Sequence, residues 1–179
     1  MEIIRLDPGE LYVSTSAVEV HTILGSCVSV TLFHPRLRQG AICHGRKPSH
    51  ECVGARAGLK ICRELGDHVR CSLEFMLAWF DQKGVVRHEL EVKLFGGGMM
   101  FSTEAALAAT PLLNMGKRNI DTAMEFIRTR HLHLTASDVG GPWARQIVFQ
   151  TDTGEVKLKR IRKSAQELAR LETLSGGTV

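Results

Sequence analysis

Cys27 lies in Leu24-Gly25-Ser26-Cys27-Val28-Ser29-Val30, and His44 follows seventeen residues later in Ile42-Cys43-His44-Gly45. A thiol at a Gly-Ser turn that opens an apolar segment, with an imidazole on the next such segment, has the layout of a cysteine nucleophile and its base. Thiolate is the reactive form, and an unperturbed thiol near pKa ~8.5 needs a neighbouring His or backbone dipole to act at neutral pH. Gly25 permits an unusual backbone, and the N–H groups of Ser26 and Cys27 beside the thiol are candidates for an oxyanion hole. Packing is the competing account, because free cysteine is among the most buried residue types.

Other polar clusters offer weaker chemistry. Cys43, His44, Cys52, Cys62 and Cys71 supply soft ligands, but the chain has no Cys-x-x-Cys or His-Glu-x-x-His spacing, and no metal site is expected. His131-x-His133 reads as a surface pair. Gly96-Gly97-Gly98 lacks the Lys-Ser/Thr of a phosphate loop and the spacing of a dinucleotide loop, so it reads as a tight bend or a close backbone approach. Lys157, Lys159, Arg160, Arg162 and Lys163 concentrate positive charge near the C-terminus, yet without interleaved aromatics they point to a solvated edge rather than to nucleic acid.

The elements that position these residues come from one core. At 179 residues and 44% hydrophobic content the chain suits a single well-buried domain, and 23% charged residues argue against disorder. No apolar run approaches the roughly 18 residues that span a bilayer, and no secretory signal is apparent. The five cysteines would leave one unpaired in an all-disulfide scheme, so reduced thiols in a cytoplasmic protein are expected.

Residues 11–15 and 18–24 read as β-branched strands. From Cys27 to Phe33 the pattern places Val28, Val30 and Leu32 on one face and Cys27, Ser29, Thr31 and Phe33 on the other. His34-Pro35 ends that strand, and residues 40–44 return as an antiparallel partner. Helices are expected over about 55–65, 69–83 and 121–130, the second facing the core through Leu73, Met76, Leu77 and Phe80 and ending at Gly84. Ala123, Met124 and Ile127 mark the third. Further strands are expected at 90–95, 133–136, 146–149 and 156–160, the last two joined by a Thr151-Asp152-Thr153-Gly154 turn. The reading is one α+β domain, an α/β sandwich of mainly antiparallel strands with two to three helices, over 1–163, followed by a tail at 164–179 that starts as a short helix.

Several segments together resemble the chemoreceptor glutamine deamidase family, CheD. They are Leu24-Gly25-Ser26-Cys27-Val28, His44 with Pro48, Lys93-Leu94-Phe95-Gly96-Gly97-Gly98-Met99-Met100-Phe101, Met115-Gly116-Lys117-Arg118-Asn119-Ile120, Asp138-Val139-Gly140-Gly141, Arg145 and Thr153-Gly154-Glu155-Val156. They stand in the family's order from about residue 10 to 162. The resemblance implies an α/β sandwich related in its active site to bacterial toxin deamidases. It further implies cofactor-free conversion of receptor glutamines to glutamate, with Cys27 as nucleophile and His44 as base. Chemoreceptors would be the substrate, a CheC-type phosphatase a possible partner, and receptor methyl-ester hydrolysis a related activity. The family also has a threonine shortly before the cysteine that orients the histidine, and Thr22 is its match, with His21 adjoining it.

The chain departs from that pattern at Gly45-Arg46-Lys47-Pro48, where relatives carry an apolar residue before the proline, and again from Pro48 to Leu65. Arg46 and Lys47 would oppose an imidazolium, favour a thiolate and meet an acidic receptor helix. Two alternatives stay open on the residues alone: a catalytically weak or inactive adaptor for receptors or a phosphatase, and a zinc-binding domain.

Overall fold

Strand β4 (Val28–His34) is buried at every position, which an amphipathic strand cannot be unless both of its faces are covered. The computed structural model, which describes residues 2–50, 62, 64–99 and 114–162, shows what covers them. On one side Val28, Val30 and Leu32 pack with Ala41 and Cys43 under helices α1 (Val69–Asp81) and α2 (Met115–Thr129). On the other, Ile42 and Phe95 meet Val18, Val20, Leu24, Ile147 and Phe149 of a second sheet. The molecule is therefore a sheet–sheet–helix sandwich, and the α+β expectation holds as one compact domain. Among the described residues no helix is long and apolar enough to cross a membrane.

The helix-covered sheet has the order β2-β5-β4-β6-β7, and the outer sheet the order β1-β3-β8-β9. Their strands are β1 (Glu2–Arg5), β2 (Leu11–Ser14), β3 (Val18–Leu24), β4, β5 (Gln39–Cys43), β6 (Glu91–Gly96), β7 (His133–Val139), β8 (Trp143–Gln150) and β9 (Val156–Arg162). Pairing is antiparallel except for β1 with β3 and β6 with β7. Gly25-Ser26-Cys27 is thus the crossing from the outer sheet to the inner one.

Several boundaries differ from expectation. Strand β1 carries no alternation of its own and forms because β3 offers it a parallel edge. Helix α2 begins at Met115, six residues before the expected start at Asp121, because its first turns face the glycine loop rather than the apolar core. A Cβ on Gly116 would lie 2.7 Å from the Gly97 carbonyl oxygen. Met124 is exposed, and the core face of α2 runs through Ala123, Phe126 and Ile127. Helix α1 buries Leu73, Met76, Leu77 and Phe80 as its periodicity predicts, and Gly84 follows with φ +71°. Of the helix expected at 55–65, Glu64 and Leu65 form a turn, and residues 55–61 and 63 lie outside the described residues, as does the 164–179 tail.

One buried charge ties the two sheets together at the site end. Arg145 of β8 is 2% exposed and donates Nε to Asp138 Oδ1 (2.7 Å), Nη1 to the Trp143 carbonyl (2.9 Å) and Nη2 to the Gly140 carbonyl (2.6 Å). Burial alone would raise the Asp138 pKa, but hydrogen bonds from Arg160 and Arg145 outweigh it and hold the carboxyl below its ordinary range. Replacing Arg145 with Met is expected to cost about 3 kcal/mol in urea unfolding, since it removes one of the two guanidinium partners of the partly buried Asp138 and the side-chain donor of the Trp143 and Gly140 carbonyls.

Candidate active site

Two β-rules bring Cys27 and His44 together. Val28 and Gly45 form a hydrogen-bonded antiparallel pair (Val28 N to Gly45 O 3.0 Å, Gly45 N to Val28 O 2.9 Å) in the same register as the β4–β5 ladder, whose nearest pair is Thr31 with Ile42. That register sets Cys27 opposite Arg46 and Ser29 opposite His44, so Cys27 and His44 are diagonal neighbours on one face of the strand pair. Alternation fixes which face. Ala41 and Cys43 join the helix-side core, so Ile42 and His44 turn toward the outer sheet, where Cys27 also packs.

Thr22 meets the imidazole there. Within β3 the residues Val18, Val20, Thr22 and Leu24 face inward, whereas His21 faces outward and meets Glu19 at 3.2 Å. Strand parity therefore selects Thr22 over its neighbour. Thr22 Oγ1 gives its proton to the Leu6 carbonyl at 2.7 Å and lies 2.7 Å from His44 Nδ1, which must then be the donor of that second bond. This leaves His44 Nε2 with the free lone pair, and it is a buried nitrogen without a hydrogen-bond partner among the described residues. The His44 backbone is clamped as well, His44 N donating to the Glu10 carbonyl and Gly9 N to the His44 carbonyl, both at 2.8 Å.

The backbone that carries the thiol is held by the glycine loop. Gly97 N donates to the Cys27 carbonyl (2.7 Å) and Gly98 N to the Gly25 carbonyl (2.8 Å). Gly96 has φ +103°, and a Cβ there would lie 2.3 Å from the Cys27 oxygen. The loop is the close backbone approach its sequence suggests; Met100 and Phe101 of the same motif lie outside the described residues. Among the described residues the N–H groups of Ser26 and Cys27 meet no other carbonyl oxygen.

Asn119 is the residue that motif reading undervalues. It is fully buried on α2, and its Nδ2 donates to the Ser26 carbonyl (3.1 Å) and the Arg46 carbonyl (3.0 Å), joining the segment that bears the thiol to the one that bears the imidazole. A signal for it exists: Gly116, Asn119, Ala123, Phe126 and Ile127 share one helical face. Asp67 had no signal. It is an isolated carboxylate in sequence, yet it receives Arg46 Nε and lies 2.8 Å from Lys47 Nζ. Those bonds pull its pKa down to about 2.

Electrostatics make the pair neutral at rest. Burial depresses the His44 pKa to about 4, and the Arg46 charge adds to this against the Leu6 carbonyl, Asp7 and Glu10. Burial pushes the Cys27 thiol up; Arg46 opposes this and Asp67 reinforces it. Cys43, although next to His44, is sealed in the helix-side core with its pKa pushed up to about 11. A cavity of about 520 Å³ opens beside Thr22 and His44, walled by Ile3, Leu6, Ile23 and Gln146; the thiol does not line it.

Comparison with known sequences supplies the rest. Residues 60–160 match the sequence model of a family described as CheD chemotactic sensory transduction. This chain belongs to the CheD family. A relative from Maridesulfovibrio salexigens, named "Probable chemoreceptor glutamine deamidase CheD", is 37% identical over 88% of this chain and 91% of its own. Another from Geobacter sulfurreducens, named "Probable chemoreceptor glutamine deamidase CheD 2", is 38% identical over 90% of this chain and 91% of its own. The CheD-matched span holds Gly96–Gly98, Asn119, Asp138 and Arg145, the groups that brace the Cys27 segment.

Two measurements probe these charges. A histidine buried neutral binds its proton more weakly folded than unfolded, so stability is full above pH 6.5 and falls as pH drops from 6.5 toward 4. We expect wild type to lose up to about 3 kcal/mol more than His44→Gln over that window, read from urea midpoints. Arg46→Gln removes the cation that favours the Cys27 thiolate, so Cys27 alkylation at fixed pH 8 should slow; an unchanged rate would show the guanidinium to be fully screened by Asp67.

Proposed function

We propose that this protein is a cysteine-dependent deamidase that converts glutamine side chains of chemoreceptors to glutamate, releasing ammonia, in the cytoplasm. The observation that carries this is the Thr22–His44 hydrogen bond, with Cys27 diagonally across the same strand face, in a chain whose relatives are named for that activity.

Each step follows from the protonation states. With His44 neutral and its Nδ1–H anchored on Thr22, Nε2 is the base that takes the Cys27 proton as Sγ attacks the amide carbon. A resting neutral pair suits proton transfer during attack better than a preformed thiolate–imidazolium. The tetrahedral oxyanion is received by the N–H groups of Ser26 and Cys27, which meet no carbonyl oxygen among the described residues, while Gly97 and Gly98 hold the flanking carbonyl oxygens. His44 returns its proton to the departing nitrogen, giving ammonia and a thioester. Water then attacks the thioester with His44 again as base, the C–S bond breaks, the Cys27 sulfur takes back the proton, and the receptor side chain is left as glutamate. Arg46 and Lys47, partly exposed and sharing Asp67, present a cationic rim to an acidic receptor helix. No cofactor enters.

A second reading is an adaptor that binds receptors or a CheC-type phosphatase without turnover, and the raised Cys27 pKa favours it. The two readings separate in one experiment: a receptor cytoplasmic fragment is incubated with wild type, Cys27→Ala, His44→Ala and Thr22→Val, and glutamine peptides are read by mass spectrometry. We expect a gain of about 1 Da with wild type, none with Cys27→Ala, a rate lower by about 10²–10⁴ in His44→Ala, and a loss of at least about tenfold in Thr22→Val with KM little changed. Equal conversion by wild type and Cys27→Ala, or no conversion of cognate receptors, would leave the adaptor.

A further inference from the structure

His50, Cys62 and Cys71 have no place in that chemistry, yet the fold gathers them. One ligand atom from each lies within 4.8 Å of the others, and Cys62 Sγ is 3.4 Å from His50 Nε2. Two more donors adjoin them: the His68 ring stands edge-on to His50 with centroids 3.9 Å apart, and Glu64 approaches His68 Nδ1 at 3.6 Å. His50 Nδ1 is buried and has no hydrogen-bond partner among the described residues. Neither Cys62 nor Cys71 belongs to either hydrophobic cluster.

We propose that His50, Cys62 and Cys71 bind a zinc ion. With Zn–S near 2.3 Å and Zn–N near 2.0–2.1 Å, tetrahedral ligation sets a sulfur and a nitrogen about 3.5 Å apart, the spacing that Cys62 and His50 already have. Two thiolates with one imidazole form a soft donor set that selects zinc over magnesium or calcium. On binding, each thiol gives up its proton to solvent and its sulfur donates an electron pair to the metal, with no change of oxidation state. His68, set against His50 and braced by Glu64, lies beside the His50 ligand. No spacing motif announces this site, because the ligands come from the segment after Pro48, from the stretch before the 64–67 turn, and from the first turn of α1.

The consequence is mechanical. Cys62 and Cys71 flank Asp67 in sequence, and His50 lies three residues beyond Lys47. A metal joining them fastens the turn whose carboxylate holds Arg46 and Lys47, at the segment where the chain departs from its relatives' pattern.

The test uses the full-length reduced protein without receptor, so its result is independent of deamidation. After chelator treatment, Zn²⁺ is titrated against a chromophoric chelator, and Co²⁺ is added separately to look for thiolate-to-cobalt charge-transfer absorption. One equivalent of zinc and a cobalt–thiolate band are expected in wild type and in Cys27→Ala. His50→Ala, Cys62→Ser and Cys71→Ser should each weaken binding by more than about tenfold. Circular dichroism checks folding; His50 and Cys62 lie outside helices and strands, so their variants decide the matter if Cys71→Ser fails to fold. Absence of stoichiometric zinc, uptake unchanged in the folded variants, or a Cys62–Cys71 disulfide whose reduced form takes no metal would each overturn the proposal.

Discussion

The contact between the Gly96–Gly98 backbone and the Gly25–Cys27 crossing is the constraint on which the site depends. At a strand end, carbonyls left without ladder partners must find donors, and here Gly97 and Gly98 provide them for Cys27 and Gly25. That arrangement needs backbone packed on backbone, which a Cβ at 96 would prevent. The loop is itself braced from behind: Gly140 N donates to the Gly96 carbonyl, Met99 N donates to the Gly141 carbonyl, and buried Arg145 holds the Gly140 turn to Asp138. Asn119 completes the frame from α2. Groups as far along the chain as Gly140 and Arg145 therefore brace the backbone that carries Cys27.

The charges around this frame form a graded series. Asp67 takes up Arg46 and Lys47, so the Arg46 charge acts on the thiol without being free of a partner. His44 is kept neutral by burial, and its proton is kept on Nδ1 by a threonine rather than by a carboxylate. A carboxylate there would raise the imidazole pKa, whereas a hydroxyl fixes orientation and tautomer without that charge.

Much of this is legible in the residues. The alternation through β4 by itself assigns Cys27 and the helix-facing valines to opposite faces, and the period of α1 names its four core residues, because burial on one side of a regular element leaves a regular pattern. Other features leave no pattern. Strand β1 exists through its partner's edge, Met124 is an apolar residue that the core does not use, and α2 starts early in a polar stretch whose reason is the Gly97 carbonyl. Asn119 sits between these cases: its helical phase is readable, but not the two carbonyls it serves.

By itself the sequence determined the class of fold, the separate strand ends that carry Cys27 and His44, and the ordered segments that mark the family. It did so because secondary-structure periodicity and turn chemistry are local properties of the chain. Tertiary structure alone decided that Thr22 rather than His21 reaches the imidazole, that Asp67 claims both Arg46 and Lys47, and that His50, Cys62 and Cys71 converge. Each of these depends on the register between strands or on the packing of a turn against a helix, and such long-range pairings are written in no single stretch of residues.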